Sequence, residues 1–343
     1  MVIGAEDPGA ANWIIPLLPA LDRAGWTAEV LADGAAHKIL THAGIRVERP
    51  DRGKPATAVS PETDILLVGT SSSPDTMVLP MLAMGRKLGV CTIATVDFPP
   101  LYTRAQRVES ARDRFRGRQT DVLAFTPDWL VLPDTLSSDV FVELGFPEDR
   151  VCVFGNPYFD RVRAERERVE REGRDLAQQR LFPDKGNRPV LVFATEGAGT
   201  SVALDAFLET VEDLAVEVVK ILRLHPKDTP DDYHRYLARI DEVSREGGVH
   251  DLLYAADLTI GLKSMLLAES AILGTPALSM AAWQSEPEDI PNFAGIHIPS
   301  LDDFGDVLDR LVAEPGRVPV EAVSCSIPTG SVDELLNLMQ SVV

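Results

Sequence analysis

Short apolar runs alternate along the whole chain with longer stretches in which apolar residues recur at helical spacing. In the first half, runs at Met1–Gly4, Ala28–Ala32, Ile65–Gly69, Cys91–Val96, Trp129–Leu132 and Val151–Phe154 predict strands. Amphipathic stretches at Trp13–Ala24, Thr76–Leu88 and Thr135–Leu144 predict helices between them. Gly25, Gly89 and Gly145 each follow such a stretch, where a left-handed residue is wanted to end a helix. This is the rhythm of βαβ units on a parallel sheet, a Rossmann-like domain over residues 1–160. From Arg161 to Arg180, Arg and Glu at helical spacing replace large apolar residues, which predicts a solvated helix joining two bodies. With the loop residues that follow it, this linker spans 161–186.

The rhythm then resumes over 187–325. Strands are predicted at Val190–Ala194, Val218–Leu222, Leu258–Ile260, Ala277–Met280 and Gly295–Ile298, with helices at Ala203–Leu214, Tyr233–Glu246, Met265–Leu273 and Asp302–Ala313. A second parallel sheet is the economical reading. The tail, 326–343, holds an amphipathic helix from Ser331, opened by a Ser331-Val-Asp-Glu334 capping box and able to cross back onto the first domain. No internal repeat is visible at the level of residues.

Length agrees with this division, since 343 residues suit two cores of about 150 residues each, and two cores imply a cleft between them. Apolar residues at 45% and charged residues at 25% leave no compositional reason to expect disorder. A net charge of −20 repels polyanions, so no nucleic-acid partner is expected. The dense basic stretch from Arg104 to Arg118 reads first as a solvated loop or helix, and second as a contact for an anionic acceptor or a phosphate. No apolar run reaches the eighteen or so residues that would cross a bilayer, and Met1 leads straight into Val2-Ile3-Gly4 without a basic leader. A cytoplasmic protein with no integral membrane segment is the expectation. Cys91, Cys152 and Cys325 are odd in number and far apart, which predicts buried free thiols and no zinc site.

With two βα domains in hand, the chain resembles the GT-B superfamily, two Rossmann-like βαβ domains facing each other across a cleft, and within it the UDP-N-acetylglucosamine 2-epimerase-like branch. The resemblance runs in order through Asp64-Ile-Leu-Leu-Val-Gly-Thr-Ser-Ser72, Ile93-Ala-Thr-Val-Asp97, Leu132-Pro-Asp-Thr135 and Val153-Phe-Gly-Asn-Pro157 with Asp160. It continues through Val190-Leu-Val-Phe-Ala-Thr195, Leu222-Arg-Leu-His-Pro226, and Ala256 to Ser264 with Glu269 and Leu273-Gly-Thr-Pro276. It also extends to sugar-transferring and polyol-phosphate-transferring members, so it implies fold and donor class more narrowly than it implies the reaction. The implied arrangement is an acceptor-side N-terminal domain and a nucleotide-donor C-terminal domain.

The residues at the strand ends carry the chemistry this arrangement needs. Glu6 to Asn12 lies between the first strand and first helix, where Gly9 and Asn12 could line a ligand site, or Asp7 and Pro8 could serve only to start the helix. Ser71, in Thr70-Ser-Ser-Ser73, lies at the carboxyl edge of the sheet, as a ligand contact or a helix cap. Asp97 matches the position of an acceptor-activating base, or is a turn residue before Phe98-Pro-Pro. Gly197, Gly199, Thr200 and Ser201 form a candidate diphosphate cradle, with Glu196, a candidate catalytic carboxylate, placed to face the sugar. His225 is a candidate catalytic or phosphate-binding imidazole, flanked by Arg223 and Lys227, while His37, His42, His234, His250 and His297 default to surface or structural roles. Lys263 and Ser264 precede a helix whose first amides could hold a phosphate, and Glu269 could accept bonds from ribose hydroxyls.

The implied function is transfer from a nucleotide-diphosphate-linked sugar or polyol phosphate, the donor being a substrate, UDP-linked by resemblance, with no separate cofactor, no metal and an unspecified acceptor. Epimerisation or hydrolysis of a UDP-sugar is the alternative. Against it, the first loop lacks the Gly-Thr-Arg-Pro-Glu pattern of epimerases, Asp97 replaces their His-Val-Glu-Ala-Gly, and Ala268-Glu269 replaces their Glu-Glu pair. A GT-B-derived binding protein without catalysis is a third reading, and a homodimer is left open.

Overall fold

The computed structural model describes residues 1–51, 55–197, 199–226, 228–245, 247–324 and 327–343. It divides into two compact units, one comprising Met1–Phe98, Arg104–Arg161 and Ile327–Val343, the other Pro99–Thr103 and Val162–Ser326. Lys227 and Cys325, singled out above, lie outside the described residues.

The first unit follows the chain through β1 (Val2–Ala5), α1 (Pro8–Arg23), β2 (Glu29–Ala32), α2 (Gly34–His42), β3 (Ile65–Gly69), α3 (Val78–Leu88), β4 (Cys91–Thr95), α4 (Arg104–Arg114), β5 (Trp129–Leu132), α5 (Thr135–Glu143), β6 (Val151–Val153) and the start of α6 (Pro157–Glu172). Its six strands are parallel in the order β2-β1-β3-β4-β5-β6. The apolar runs are continuous because both faces of the sheet are covered. Ile3, Leu67, Ile93 and Val131 pack with Trp13, Leu17 and Leu21 of α1, while Val2, Leu66, Val68 and Leu130 pack with Met81, Phe115 and Phe141. The chain leaves β1 for β2 on one side and returns to β3 on the other, so β1 and β3 flank the sheet's switch point, where open α/β sheets bind ligands.

The second unit contains α7 (Arg174–Leu181), β7 (Val190–Ala194), α8 (Thr200–Glu212), β8 (Val219–Arg223), β9 (Glu242–Ser244), α9 (Val249–Ala255), β10 (Leu258–Gly261), α10 (Met265–Ile272), β11 (Ala277–Ser279), β12 (Ile296–His297), α11 (Phe304–Ala313) and α12 (Val320–Ser324). Its six parallel strands run β12-β11-β10-β7-β8-β9, which puts the switch point between β7 and β10. The helix foreseen over Tyr233–Glu246 is instead a 3-10 helix at Pro230–Arg239 followed by the edge strand β9. Thr229 and Asp232 close a capping box on that 3-10 segment, and Pro230 occupies its first turn.

Three other expectations are corrected. The charged stretch after Arg161 is not a freely solvated helix: Gly173 breaks it at φ 89°, Val162, Val169 and Ala177 are buried, and its arginines bond main-chain carbonyls. Arg166 donates to Ile272 O at 2.9 Å, and Arg174 to Ala256 O and Asp257 at 2.7 Å, so the basic groups cap helix ends of the second unit. The final helix, α13 (Ser331–Ser341), belongs to the first unit, where Leu335 and Met339 enter the core beside α1. Its capping box is not made, because the cap position is Gly330 and the Asp160 carboxylate of α6 takes the amides of Gly330 (3.3 Å) and Ser331 (2.8 Å). Cys91 and Cys152 are free thiols, half-buried and not fully buried, and burial pushes the Cys91 thiol up to about 11.

Candidate functional site

In the first unit the chain leaves β1 at Ala5 and starts α1 at Pro8, leaving Glu6 and Asp7 on the sheet's carboxyl edge. Asp7 holds the cap position with extended backbone (φ −87°, ψ 157°), yet its side chain makes no bond to the helix. It bonds Ser71, just beyond β3 and across the switch point, so the capping role foreseen for Asp7 is not realised. Glu6 turns the same way, accepting from Thr76 Oγ1 at 2.6 Å and Met77 N at 3.0 Å. The loop after β3 therefore receives both acids, and neither Thr70 nor Ser71 caps α3, whose cap position is Met77.

Asp97 lies two residues past β4, against the first turn of α1. A Cβ on Gly9 would come within 1.5 Å of Asp97 Oδ2, so only glycine lets this carboxylate sit there. Its other oxygen accepts from Arg114 Nη1 at 3.2 Å, and the same nitrogen donates to Thr70 O at 3.1 Å and Thr70 Oγ1 at 2.6 Å. The Arg114 guanidinium lies 4.8 Å from the Phe98 ring centroid, a cation–π contact. The basic stretch Arg104–Arg118 is thus not all solvated: Arg114 is buried, as is Arg107, which bonds both oxygens of Asp134 at 3.1 and 2.9 Å. Burial raises the Asp7 carboxyl above the usual carboxylate range, with Asp97 and Glu6 adding repulsion and the Ser71 bond and Arg114 opposing it. Asn12, in α1, is half-buried.

In the second unit Thr195 and Glu196 follow β7, and Gly197 and Gly199 turn the chain into α8 at φ 81° and 87°. Thr200 Oγ1 accepts from Glu196 N at 3.0 Å, while Ser201 is exposed in the first turn of the helix. A Cβ on Gly199 would lie 2.6 Å from Gln284 Nε2. The Glu196 carboxylate crosses the switch point, accepting from Lys263 N at 2.6 Å and Ser264 N at 3.1 Å. These amides lie just before the helix whose first amides are the candidates for a phosphate, and a carboxylate of the chain itself stands there as the anion. Burial pushes Glu196 upward and the amide bonds oppose it. Ser264 Oγ caps α10 through Leu266 N at 3.3 Å, and the buried Lys263 donates to Ser285 Oγ at 2.7 Å.

Deeper in this unit, His225 follows β8 with its amide donated to Thr195 Oγ1 at 2.8 Å. Thr195 in turn donates to the buried Asp228 at 2.6 Å, which also accepts from Tyr233 at 2.8 Å. Burial beside Asp228 pushes the Tyr233 phenol up to about 12. Arg223 bonds Ser244 Oγ at 2.9 Å, and burial holds its guanidinium below the usual range while the Glu269 charge opposes that shift. Glu269 is 3% exposed, its Oε2 lies 3.4 Å from His250 Nε2, and neither atom has a hydrogen-bond partner. His250, assigned above only a default role, is thereby the buried neighbour of the acidic candidate. Among the described residues no group of three or more His, Cys, Asp or Glu is placed to hold a metal ion.

No protein-family model matches the sequence, and no curated protein matches it. Solved structures do. UDP-GlcNAc 2-epimerase from Methanocaldococcus jannaschii superimposes with TM-score 0.69 at 14% identity, over 99% of both chains. HepE from Anabaena, in complex with UDP-glucose, gives TM-score 0.63 at 13% identity over 100% of both. The wall teichoic acid polymerase TagF gives TM-score 0.59 at 15% identity, over 100% of this chain and 88% of the other. The fold is GT-B. Within that fold, each candidate falls at the carboxyl edge of a sheet or on the helix that follows. Gly9, Asn12, Ser71 and Asp97 lie in the first unit. Glu196, Gly197, Gly199, Thr200, Ser201, Arg223, His225, Lys263, Ser264 and Glu269 lie in the second. Arg114, Asp7 freed from capping, and His250 were missed, because each acquires its partner through a contact remote in sequence. No helix among the described residues is long and apolar enough to cross a membrane.

Proposed function

We propose that this GT-B chain is a transferase acting on a nucleotide-diphosphate-linked sugar or polyol phosphate, with the nucleotide held by the second unit and an acceptor hydroxyl by the first. The observation that carries the reading is Glu269, a buried carboxylate one and a half turns into the helix that starts beside the switch point, whose Oε2 faces His250 Nε2 at 3.4 Å without a hydrogen bond. Leaving such a group unsatisfied costs about 1–3 kcal/mol, which a ribose hydroxyl would offset. The α10 amides, Gly197, Gly199, Thr200, Arg223 and His225 supply donors for a diphosphate, and oriented dipoles of this kind can stabilise a leaving phosphate without a metal. The diphosphate must then displace Glu196 from the amides of Lys263 and Ser264. UDP-linked donors are the first choice because structures of the same fold hold UDP-glucose, and the donor is consumed as a substrate and is not a bound cofactor.

The test is a panel of uridine- and cytidine-diphosphate donors, each incubated with and without hydroxyl acceptors. The reading expects nucleotide release that depends on an acceptor, and a new glycoside or phosphodiester. A changed sugar still attached to UDP would replace transfer with epimerisation. No binding of any donor would overturn both.

A further inference from the structure

Two carboxyl groups meet at the switch point of the first sheet, and the structure treats them differently. Asp97 has one oxygen against Gly9 and the other on the buried Arg114, which is also fastened to Thr70 and stacked on Phe98. Asp7 has a hydroxyl partner, Ser71, and has given up the helix cap that its position offers. We infer that Asp7, and not Asp97, is the proton-carrying catalytic group of the first unit, with Asp97 as its fixed, Arg114-held partner. This rests on the transferase reading above and names the base that reading requires.

The charged groups facing Asp7 are Asp97 after β4, Arg114 from α4 and Glu6 of its own loop, and Ser71 after β3 is its hydrogen-bond partner. Asp97 and Glu6 make proton uptake easier, and burial acts in the same direction, so an ionised Asp7 is a stronger base than an ordinary aspartate. Asp97 is already engaged, with Oδ1 accepting from Arg114 Nη1 at 3.2 Å and Oδ2 packed against Gly9. In the transfer step the acceptor hydroxyl gives its proton to the Asp7 carboxylate as its oxygen bonds to the transferred group. The bond from that group to the nucleotide breaks, and its electron pair leaves on the nucleoside diphosphate when a sugar is transferred, or on the nucleoside monophosphate when a polyol phosphate is transferred. Ser71 holds the carboxyl in one orientation throughout.

The test uses the full chain with Asp7→Asn, Asp7→Glu and Asp97→Asn. Three quantities are read: UDP affinity by calorimetry, turnover against pH, and the titration of the Asp7 carboxyl carbon by NMR. Asp7→Asn is expected to lower kcat about 100-fold or more with UDP affinity within about threefold of the parent, and Asp7→Glu to restore part of the loss. Asp97→Asn removes a repelling charge, so the acidic limb of the profile and the Asp7 titration should move together to lower pH. Turnover by Asp7→Asn within about threefold of the parent overturns this assignment alone, as does an Asp7 titration unmoved in Asp97→Asn. Absence of both UDP binding and turnover in the parent overturns the transferase reading and this one with it.

Discussion

The two sheets place an acidic residue at the same topological point and use it in different ways. After β7, Glu196 reaches across to the strand on the far side of the switch and accepts two amides at the start of α10. After β1, Asp7 reaches across in the same sense and finds the Ser71 hydroxyl, with a second carboxylate beside it. Burial works against the charged form of both. Glu196 answers with fixed amide donors and acts as part of the helix end, whereas Asp7 has a weaker partner and stays chemically available. What the neighbouring strand's loop supplies, amides in one case and a hydroxyl in the other, sets how each acid is held.

Five substitutions sharpen or break this contrast. The largest stability effect is expected at Arg114→Met, which leaves the half-buried Asp97 and Thr70 without their donor, at about 3 kcal/mol from denaturant unfolding. A loss below about 1 kcal/mol would mean that Asp97 is solvated and not fixed. Gly9→Ala forces Asp97 off the first turn of α1 and should cost about 2 kcal/mol, since its Cβ has no room beside Oδ2. Glu196→Ala removes the acceptor at α10 and should cost about 1 kcal/mol, like the loss of a helix cap. Asp7→Ala should show no such capping loss, and if the two variants lose equal stability the contrast fails. The smallest effect is in the pH dependence of Asp7→Asn. A carboxyl raised in the folded state contributes stability that is complete below its unfolded value of about 3.9 and lost as pH climbs through its folded value. The Tm of Asp7→Asn should therefore gain on the parent as pH rises through that window, and a gap constant with pH would contradict the raised value.

Much of the fold was legible because parallel strands covered on both faces write themselves as unbroken apolar runs, as at Ile65–Gly69 and Val190–Ala194. The edge strand β9 was not, since Glu242-Val-Ser244 is polar, short and paired on one side only. Gly25, Gly89 and Gly145 marked helix ends correctly, with φ of 81°, 73° and 99°. The candidate site was legible in position and not in partnership. Loops after β1, β3, β4, β7 and β10 could be named from the sequence because strand ends carry the chemistry of such sheets. That Arg114 would be buried against Asp97 could not, because α4 is mostly polar, with Val108 and Ala111 its core contacts, and the burial of Arg114 comes from Phe98 and the loop after β3. For the same reason a capping motif such as Ser331 to Glu334 misled: the Asp160 carboxylate, far away in sequence, takes the amides first.

The central claim is that the second unit binds the nucleotide of a diphosphate-linked donor through Glu269 and the helix that carries it. Calorimetric titration of UDP into the full chain and into Glu269→Ala tests it most directly. The account predicts saturable binding to the parent and a loss of affinity of about tenfold or more in the variant, the loss of a hydrogen bond to a charged group. UDP binding equally to both, with the fold of the variant intact, would contradict it.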